Sequence, residues 1–460
     1  MKIRVGADLE ITEISKAEYK KLDDYLKSNL IIENPEYYKL AKMGKWVGNV
    51  SSHITLYSKL QNGFLVPFGA LRDIYKMFSK ADYELDFHNS SKTLNYSSKI
   101  TPYDYQEEAI QKVLKMKNGI LIAPCGAGKT EMALEIVARI GKPALWITHT
   151  QDLLQQSMER AEKCFGTSKT NFGTITKGKI NIGSHITFST VQTLCKIDLK
   201  KIKNQFDVVI VDECHRVGGS PTNVMMFYKC LSNLSARYKI GVTATPKKNG
   251  LEKSMYCLFG ELIHEIPKEV VEAKLCQVDV VSVFTSYRPD IKAITYTDGT
   301  INHAKCLQAM CEDEKRNNDI IELINKKDLK SCIVLSERVN HLHTLQENLM
   351  NKSTAVLTSQ TKSNDRKQII EDFKNGKIDV LFSTYQLMAE GFDCPALKYL
   401  VLATPSKNER IVTQSCGRVA RKSEGKTVGI IFDFVDNYFL YQNMYKQRQR
   451  IYKKNNYNLS

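Results

Sequence analysis

The stretch Gly119-Ile120-Leu121-Ile122-Ala123-Pro124-Cys125-Gly126-Ala127-Gly128-Lys129-Thr130, with the helical run 131–140 behind it, decides how this chain is read. A short apolar strand, a glycine-bearing loop and an amphipathic helix form the context in which backbone N–H groups cradle phosphate oxygens. Gly126 and Gly128 let the loop curl, with Cys125 and Ala127 completing the cradle. Lys129 is suited to bridge the β- and γ-phosphates of a nucleoside triphosphate, and the Thr130 hydroxyl to hold Mg²⁺. The helix N-terminus adds its positive end. Ala123 stands where the G-x-x-x-x-G-K-[ST] pattern has its first glycine. The bland alternative is a glycine-rich turn with an exposed lysine; the strand before and the helix after favour the phosphate loop.

A phosphate loop needs an acidic partner at the end of another strand. Val208-Val209-Ile210-Val211-Asp212-Glu213-Cys214-His215 supplies it. Asp212 suits the metal, and Glu213 suits polarisation of an attacking water. Around these two segments, short apolar runs at 120–123, 144–148, 186–189, 208–211 and 240–243 alternate with helical patterns. The rhythm recurs at 332–335, 355–357, 380–383, 399–402 and 428–432. Such alternation predicts βαβ units and parallel sheets covered on both faces. The expected architecture is α/β, with two tandem doubly wound parallel-sheet domains over 99–268 and 269–436. A small mixed α/β module precedes them over 1–98, and a basic, tyrosine-rich tail or helix follows over 437–460.

The chain has 460 residues and a formal net charge of +16, with ordinary apolar content. Residues 1–98 contribute only +2 and residues 99–460 the other +14. Such an excess is compatible with a polyanionic partner. No apolar run approaches the roughly 20 residues of a membrane helix, and the charged start (Met1, Lys2, Arg4) lacks a signal-peptide core. The twelve cysteines lie between Cys125 and Cys416 without metal-ligand spacing. They read as free thiols in a reducing compartment. No membrane partner and a cytoplasmic location, in the host cell if the source is viral, are expected.

The order of motifs resembles that of superfamily 2 helicases of the DECH type across nearly all of residues 100–425. Tyr105-Gln106 resembles the glutamine motif that reads adenine, and Asp212-Glu213-Cys214-His215 is a DECH form of the acidic motif. Thr243-Ala244-Thr245 is similar to the motif that couples hydrolysis to domain movement, with His215 part of that coupling. Ser383-Thr384-Tyr385 with Ala389-Glu390-Gly391-Phe392-Asp393 resembles motif V, and Gln414-Ser415-Cys416-Gly417-Arg418-Val419-Ala420-Arg421 resembles motif VI. The resemblance implies RecA-like domains, ATP and Mg²⁺ as cofactors, and a monomer. It also implies a nucleotide site that includes Gly391 and Asp393, with Gln414 beside the catalytic arginines. Arg418 and Arg421, three apart, are expected on one face of a helix, pointing into a cleft between the domains. An arginine delivered this way makes hydrolysis conditional on closure. Nucleic-acid contacts are implied for Thr148, His149 and Gln151, Ser189, Thr190 and Gln192, Ser336, Ser383 and Thr384. For these hydroxyl residues helix capping is the ordinary alternative.

Within the superfamily, the chain looks most like the group of phage UvsW-type branch-migration helicases, XPB-like enzymes and poxvirus transcript-release helicases. That likeness implies an ATP-dependent DNA helicase remodelling forks and four-way junctions in viral recombination, repair or replication, its N-terminal module binding duplex DNA or serving structure alone. A helicase that strips RNA from a template is the first alternative. A catalytically idle nucleic-acid scaffold is the second, and the intact Lys129, Asp212, Glu213, Arg418 and Arg421 argue against it. In the tail, Tyr438, Tyr441 and Tyr445 suit either base stacking or docking of a last helix.

Overall fold

The computed structural model describes residues 1–87, 93–124, 126–166, 171–176, 178–244, 250–272, 275–296, 298, 300–391, 394, 396–406, 408–423 and 425–460. The chain divides into two units, Met1–Val270 and Val271–Ser460.

The first unit holds two large sheets. The N-terminal one is five-stranded, in the order Ser58–Leu60, Gly63–Val66, Leu9–Thr12, Lys2–Val5, Asp82–Leu85. It is antiparallel except for the last pair. Each long strand alternates buried with partly exposed residues, the pattern of a sheet covered on one face. Ile3, Val5, Leu9, Ile11, Phe64 and Val66 point inward onto Leu22 and Leu26 of the Lys16–Asn29 helix. The same core takes in Val224, Leu251 and Cys257 from further along the chain. The module and the eight-stranded sheet domain behind it are therefore packed as one body. A Cβ at Gly69 would lie 2.3 Å from the Cys257 carbonyl oxygen, so only glycine permits that approach.

The second sheet has eight strands in the order Lys179–Asn181, Phe172–Thr176, Ile186–Thr190, Ala144–Thr148, Val208–Asp212, Tyr238–Thr243, Gly119–Ile122, Leu262–Glu265. All pair in parallel except the Lys179–Asn181 edge. The five expected strands are present within about two residues of their expected bounds. Phe172–Thr176, Lys179–Asn181 and Leu262–Glu265 were not legible, because they are short, polar or broken by Gly173. That glycine faces the Gly183 amide so closely that a Cβ would meet it at 2.0 Å.

The second unit carries a seven-stranded, all-parallel sheet in the order Thr354–Leu357, Val380–Thr384, Cys332–Ser336, Tyr399–Leu402, Val428–Val435, Gln277–Phe284, Asn458–Leu459. The last strand follows the Phe439–Lys454 helix, which buries Tyr441, Met444, Arg448, Ile451 and Tyr452. Arg448 makes a two-pronged ion pair with Asp433, and Tyr452 donates to the same carboxylate at 2.7 Å. Tyr438 is buried as well. Of the two readings of the tail, docking holds: these rings are core, and Arg448 is no surface cation.

Candidate functional site

In the eight-stranded sheet, Gly119–Ile122 and Val208–Asp212 flank Tyr238–Thr243. All three are parallel and buried, so their C-terminal ends open on one edge, the place where α/β sheets bind ligands. At the end of the first strand the Ala123 amide donates to the Thr243 carbonyl at 2.9 Å. The Ala123 methyl is fully buried there, so the pattern's missing glycine is replaced by a side chain the sheet accommodates. Gly126 and Gly128 both adopt positive φ, +87° and +76°, and Gly128 caps the Lys129–Ile140 helix. Lys129 and Thr130 are its first two residues.

Gln106 is buried behind this loop. Its Nε2 donates to the Ala127 carbonyl at 2.8 Å, and its Oε1 accepts from the Tyr103 amide at 2.9 Å. A Cβ on Gly128 would lie 2.5 Å from Nε2, so this glycine is demanded by contact as well as by φ. The amide keeps one proton and one lone pair unassigned by these bonds. Tyr105 reaches the same carbonyl at 3.4 Å, and its ring stacks on Tyr103 with centroids 5.8 Å apart. Arg139 clamps both Glu107 oxygens, fixing the glutamine-bearing helix to the phosphate-loop helix.

Asp212 ends its strand with Oδ1 accepting the Glu213 amide at 2.9 Å. Glu213 turns the chain at φ +53°, a left-handed conformation that starts the Cys214–Gly219 turn. Burial pushes the Asp212 carboxyl up to about 7, with the Glu213 charge adding to the effect and Lys129 opposing it. His215 is buried, its Nδ1 lying 3.0 Å from Glu213 Oε2 and 2.8 Å from Thr243 Oγ1. Cys125 and Thr245 lie outside the described residues.

The residues expected to meet nucleic acid are mostly occupied within the chain. Thr148 is buried and donates to the Thr150 carbonyl at 3.0 Å. Ser189 is buried and donates to the Ile175 carbonyl at 3.0 Å. Thr190 caps the short helix after its strand, accepting from the Thr193 amide. His149 and Gln192 are only partly buried and meet at 3.2 Å. Gln151 begins the Gln151–Phe165 helix that Thr150 caps. In the second unit Ser336 is buried, accepts from the Arg338 amide and sits 3.0 Å from His341 Nδ1. Burial and the nearby Arg316 cation push His341 down to about 3, so it is neutral. Ser383 is buried, whereas Thr384 is partly exposed.

Arg418 lies on the Glu409–Val419 helix with Gln414 and Ser415, but Arg421 does not. The helix ends at Val419 because the next carbonyls have other partners. The Cys276 amide bonds Ala420 at 2.9 Å, and Lys426 Nζ bonds the Arg421 carbonyl at 2.9 Å. The expectation of two arginines on one helical face is therefore corrected: Arg421 stands in the connection beyond it. Gly391 ends the Tyr385–Gly391 helix, and Asp393 lies outside the described residues.

Residues 99–248 match the family model described as type III restriction enzyme, res subunit, and residues 315–423 match the helicase conserved C-terminal domain. The chain belongs to the superfamily 2 helicases.

Among relatives of this superfamily 2 helicase is the ATP-dependent DNA helicase uvsW of Enterobacteria phage T4, 24% identical over 88% of this chain and 84% of the relative. Another, from Acanthamoeba polyphaga mimivirus, is described as a candidate ATP-dependent RNA helicase and is 25% identical over 80% of this chain and 70% of its own. The solved structure of Saccharomyces cerevisiae Dbp5 bound to RNA and ADP BeF3 covers 86% of this chain and 94% of that one at a TM-score of 0.58 and 15% identity, a likeness of fold. As a superfamily 2 helicase the chain is an ATP-hydrolysing enzyme. Two features of it escaped the sequence reading. One is the buried His341 behind Ser336, for which no motif gives a signal. The other is Lys239, a lone lysine inside an apolar parallel strand, which is itself a signal that a buried partner exists.

Proposed function

We propose that this helicase is a nucleic-acid-dependent ATPase that remodels branched DNA, such as forks and four-way junctions, in viral recombination, repair or replication. Lys129 and the loop amides bind the triphosphate, and Gln106 with Tyr105 takes the adenine. Thr130 and Asp212 offer the hard oxygen donors that suit Mg²⁺. The high proton affinity of buried Asp212 fits a position that a divalent cation would neutralise. Mg²⁺ there would supply charge neutralisation on the phosphates. Glu213 orients the attacking water, and Arg418 and Arg421, with Gln414, Gly391 and Asp393, serve the nucleotide's reacting end. The observation that carries the reading is the contact of His215 with both Glu213 and Thr243, because it links the water-orienting acid to the end of the adjacent strand.

Nucleic acid is gripped through its backbone at the strand-end loops. Because Thr148, Ser189, Thr190, Ser336 and Ser383 bond within the chain, they act by shaping those loops, while His149, Gln151, Gln192 and Thr384 are the side chains with exposed surface. The DNA assignment is supported by the likeness to the phage T4 DNA helicase over most of both chains. The mimivirus relative favours RNA as the second reading. The motor acts as a monomer in the cytoplasm, that of the host if the source is viral. Among the described residues no helix is long and apolar enough to cross a membrane. Phosphate release measured without nucleic acid and with linear duplex, forked DNA and RNA tests the proposal. The greatest stimulation is expected from forked DNA; stimulation by RNA alone overturns the DNA assignment.

A further inference from the structure

The N-terminal module carries one segment that its own core does not explain. The Pro35–Lys42 helix buries no residue. In the loop behind it stands Trp46, 88% exposed. A lone exposed apolar residue is ordinary, but an indole is the costliest to leave in water. This one is also held in place. Gly44 and Gly48 take positive φ, +62° and +55°. The Gly44 and Lys45 amides bond back to the Ala41 and Leu40 carbonyls at 3.0 Å. Asn34 caps the helix and donates from Nδ2 to the Ser51 carbonyl at 2.8 Å, closing the segment at its base. The indole lies against Gly48, where a Cβ would come 3.0–3.3 Å from three of its ring carbons. Part of the benzo ring thus lies over the Gly48 main chain, and the 88% exposure leaves nearly all of the indole to solvent.

Charge in this segment is one-sided. Lys39, Lys42 and Lys45 each keep surface open to solvent, while Glu36 is the only acid in residues 35–50. In a module whose net charge is only +2, this is a concentration of cations in the same short segment as the exposed indole. A supported ring with flanking cations matches a base and its phosphates. Inside a duplex both faces of a base are already stacked, so the ring selects a base that has left the stack.

We infer that residues 35–50 form a nucleic-acid contact in which an unpaired base stacks on Trp46 while Lys39, Lys42 and Lys45 meet the flanking phosphates. The inference rests on the nucleic-acid-dependent reading above and names where unpaired strand would meet the module.

The chain has two tryptophans, and Trp146 is fully buried in the central sheet, so changes in emission on binding report on Trp46. The full chain is titrated with oligothymidylate, oligouridylate and blunt duplex DNA, reading tryptophan emission alongside anisotropy of the labelled oligonucleotide. Single strands are expected to quench Trp46 in step with binding, and blunt duplex to quench it less. Trp46→Ala should remove the quench and weaken single-strand binding about 5- to 100-fold, with Trp46→Phe retaining most of the affinity. An unchanged melting temperature for the alanine variant would show that this is not a folding effect. Replacing Lys39, Lys42 and Lys45 together by Gln should lower the slope of log affinity against log salt by about 2. Oligonucleotide binding with unchanged emission and full affinity in Trp46→Ala overturns the inference and leaves the nucleic-acid reading intact; quenching by blunt duplex alone overturns the unpaired base. Failure of the wild type to bind any of the three overturns both.

Discussion

His215 Nδ1 lies 2.8 Å from Thr243 Oγ1, so the histidine of the DECH motif is tied to the end of the neighbouring strand. The same nitrogen is 3.0 Å from Glu213, which makes Glu213, His215 and Thr243 one connected group. Thr243→Val keeps the shape and removes the hydroxyl. It should leave nucleic-acid-stimulated phosphate release within a few-fold of wild type while strand displacement falls by about tenfold or more, on the order of one or two lost hydrogen bonds. The ratio of base pairs opened to ATP consumed is the measurement.

Glu213→Gln retains the shape and loses the negative charge. Nucleotide binding should persist while turnover falls by about 10²–10⁴, the usual contribution of a positioned acid or base. Lys129→Ala should abolish turnover and leave nucleic-acid binding in place. Fluorescent-nucleotide binding beside single-turnover hydrolysis separates the two variants.

Lys239 and Asp8 are both buried, and their charges act on each other where the central sheet meets the N-terminal module. Lys239 Nζ bonds the Ala7 and Leu231 carbonyls and lies 4.9 Å from the centre of the Phe68 ring. Lys239→Met leaves Asp8 buried without its counter-charge and should cost about 3–5 kcal/mol in the first unit. Adding Asp8→Asn should recover most of that loss. Denaturant midpoints of the single and double variants check this.

The same pair gives a pH dependence. Burial raises the Asp8 carboxyl to about 6, opposed by Lys239, and burial lowers Lys239 to about 8, opposed by Asp8. A carboxyl whose folded value is raised contributes stability at low pH that is lost as pH climbs through about 6. An ammonium whose folded value is lowered contributes stability at high pH that is lost as pH falls through about 8. The two groups together should produce a shallow minimum between about 6 and 8, absent from the Asp8→Asn/Lys239→Met variant when melting temperature is followed against pH.

Cys195 is half-buried and lines a cavity of about 580 Å³ with Asn34, Ile54 and Met225, its sulfur 3.5 Å from that of Cys230. The hydrogen bond from Cys230 brings the Cys195 thiol down to about 7, against the opposing effect of burial. Iodoacetamide should therefore modify Cys195 ahead of the buried cysteines, with a rate midpoint near pH 7 that rises in Cys230→Ala. Peptide mapping after brief labelling reads the order.

The strand–loop–helix over 119–140 and the strand ending at Asp212 were legible as elements because each sets particular residue types at fixed spacing beside an apolar run. Val208–Asp212 and Ala144–Thr148 could be located for the same reason: both are buried along their whole length. Gln277–Phe284 was hidden because it alternates buried and partly exposed residues and sits beside a short terminal strand contributed from 180 residues away. The N-terminal module was hardly legible, since part of its core, Val224, Leu251 and Cys257, comes from distant sequence. Polar residues misled in a different way. A serine at a strand end looks the same whether it meets phosphate or, like Ser189, its own backbone; only burial tells them apart.

Lys239 stands near the start of the strand that Thr243 closes. The accessory module is consequently bolted to the root of a spar whose tip borders the loop that Ala123 begins, leaving no hinge between them within that strand. A junction held by the module would be carried with the loop as a single cargo, and the module could be neither shed nor exchanged without laying bare the floor on which the engine is mounted.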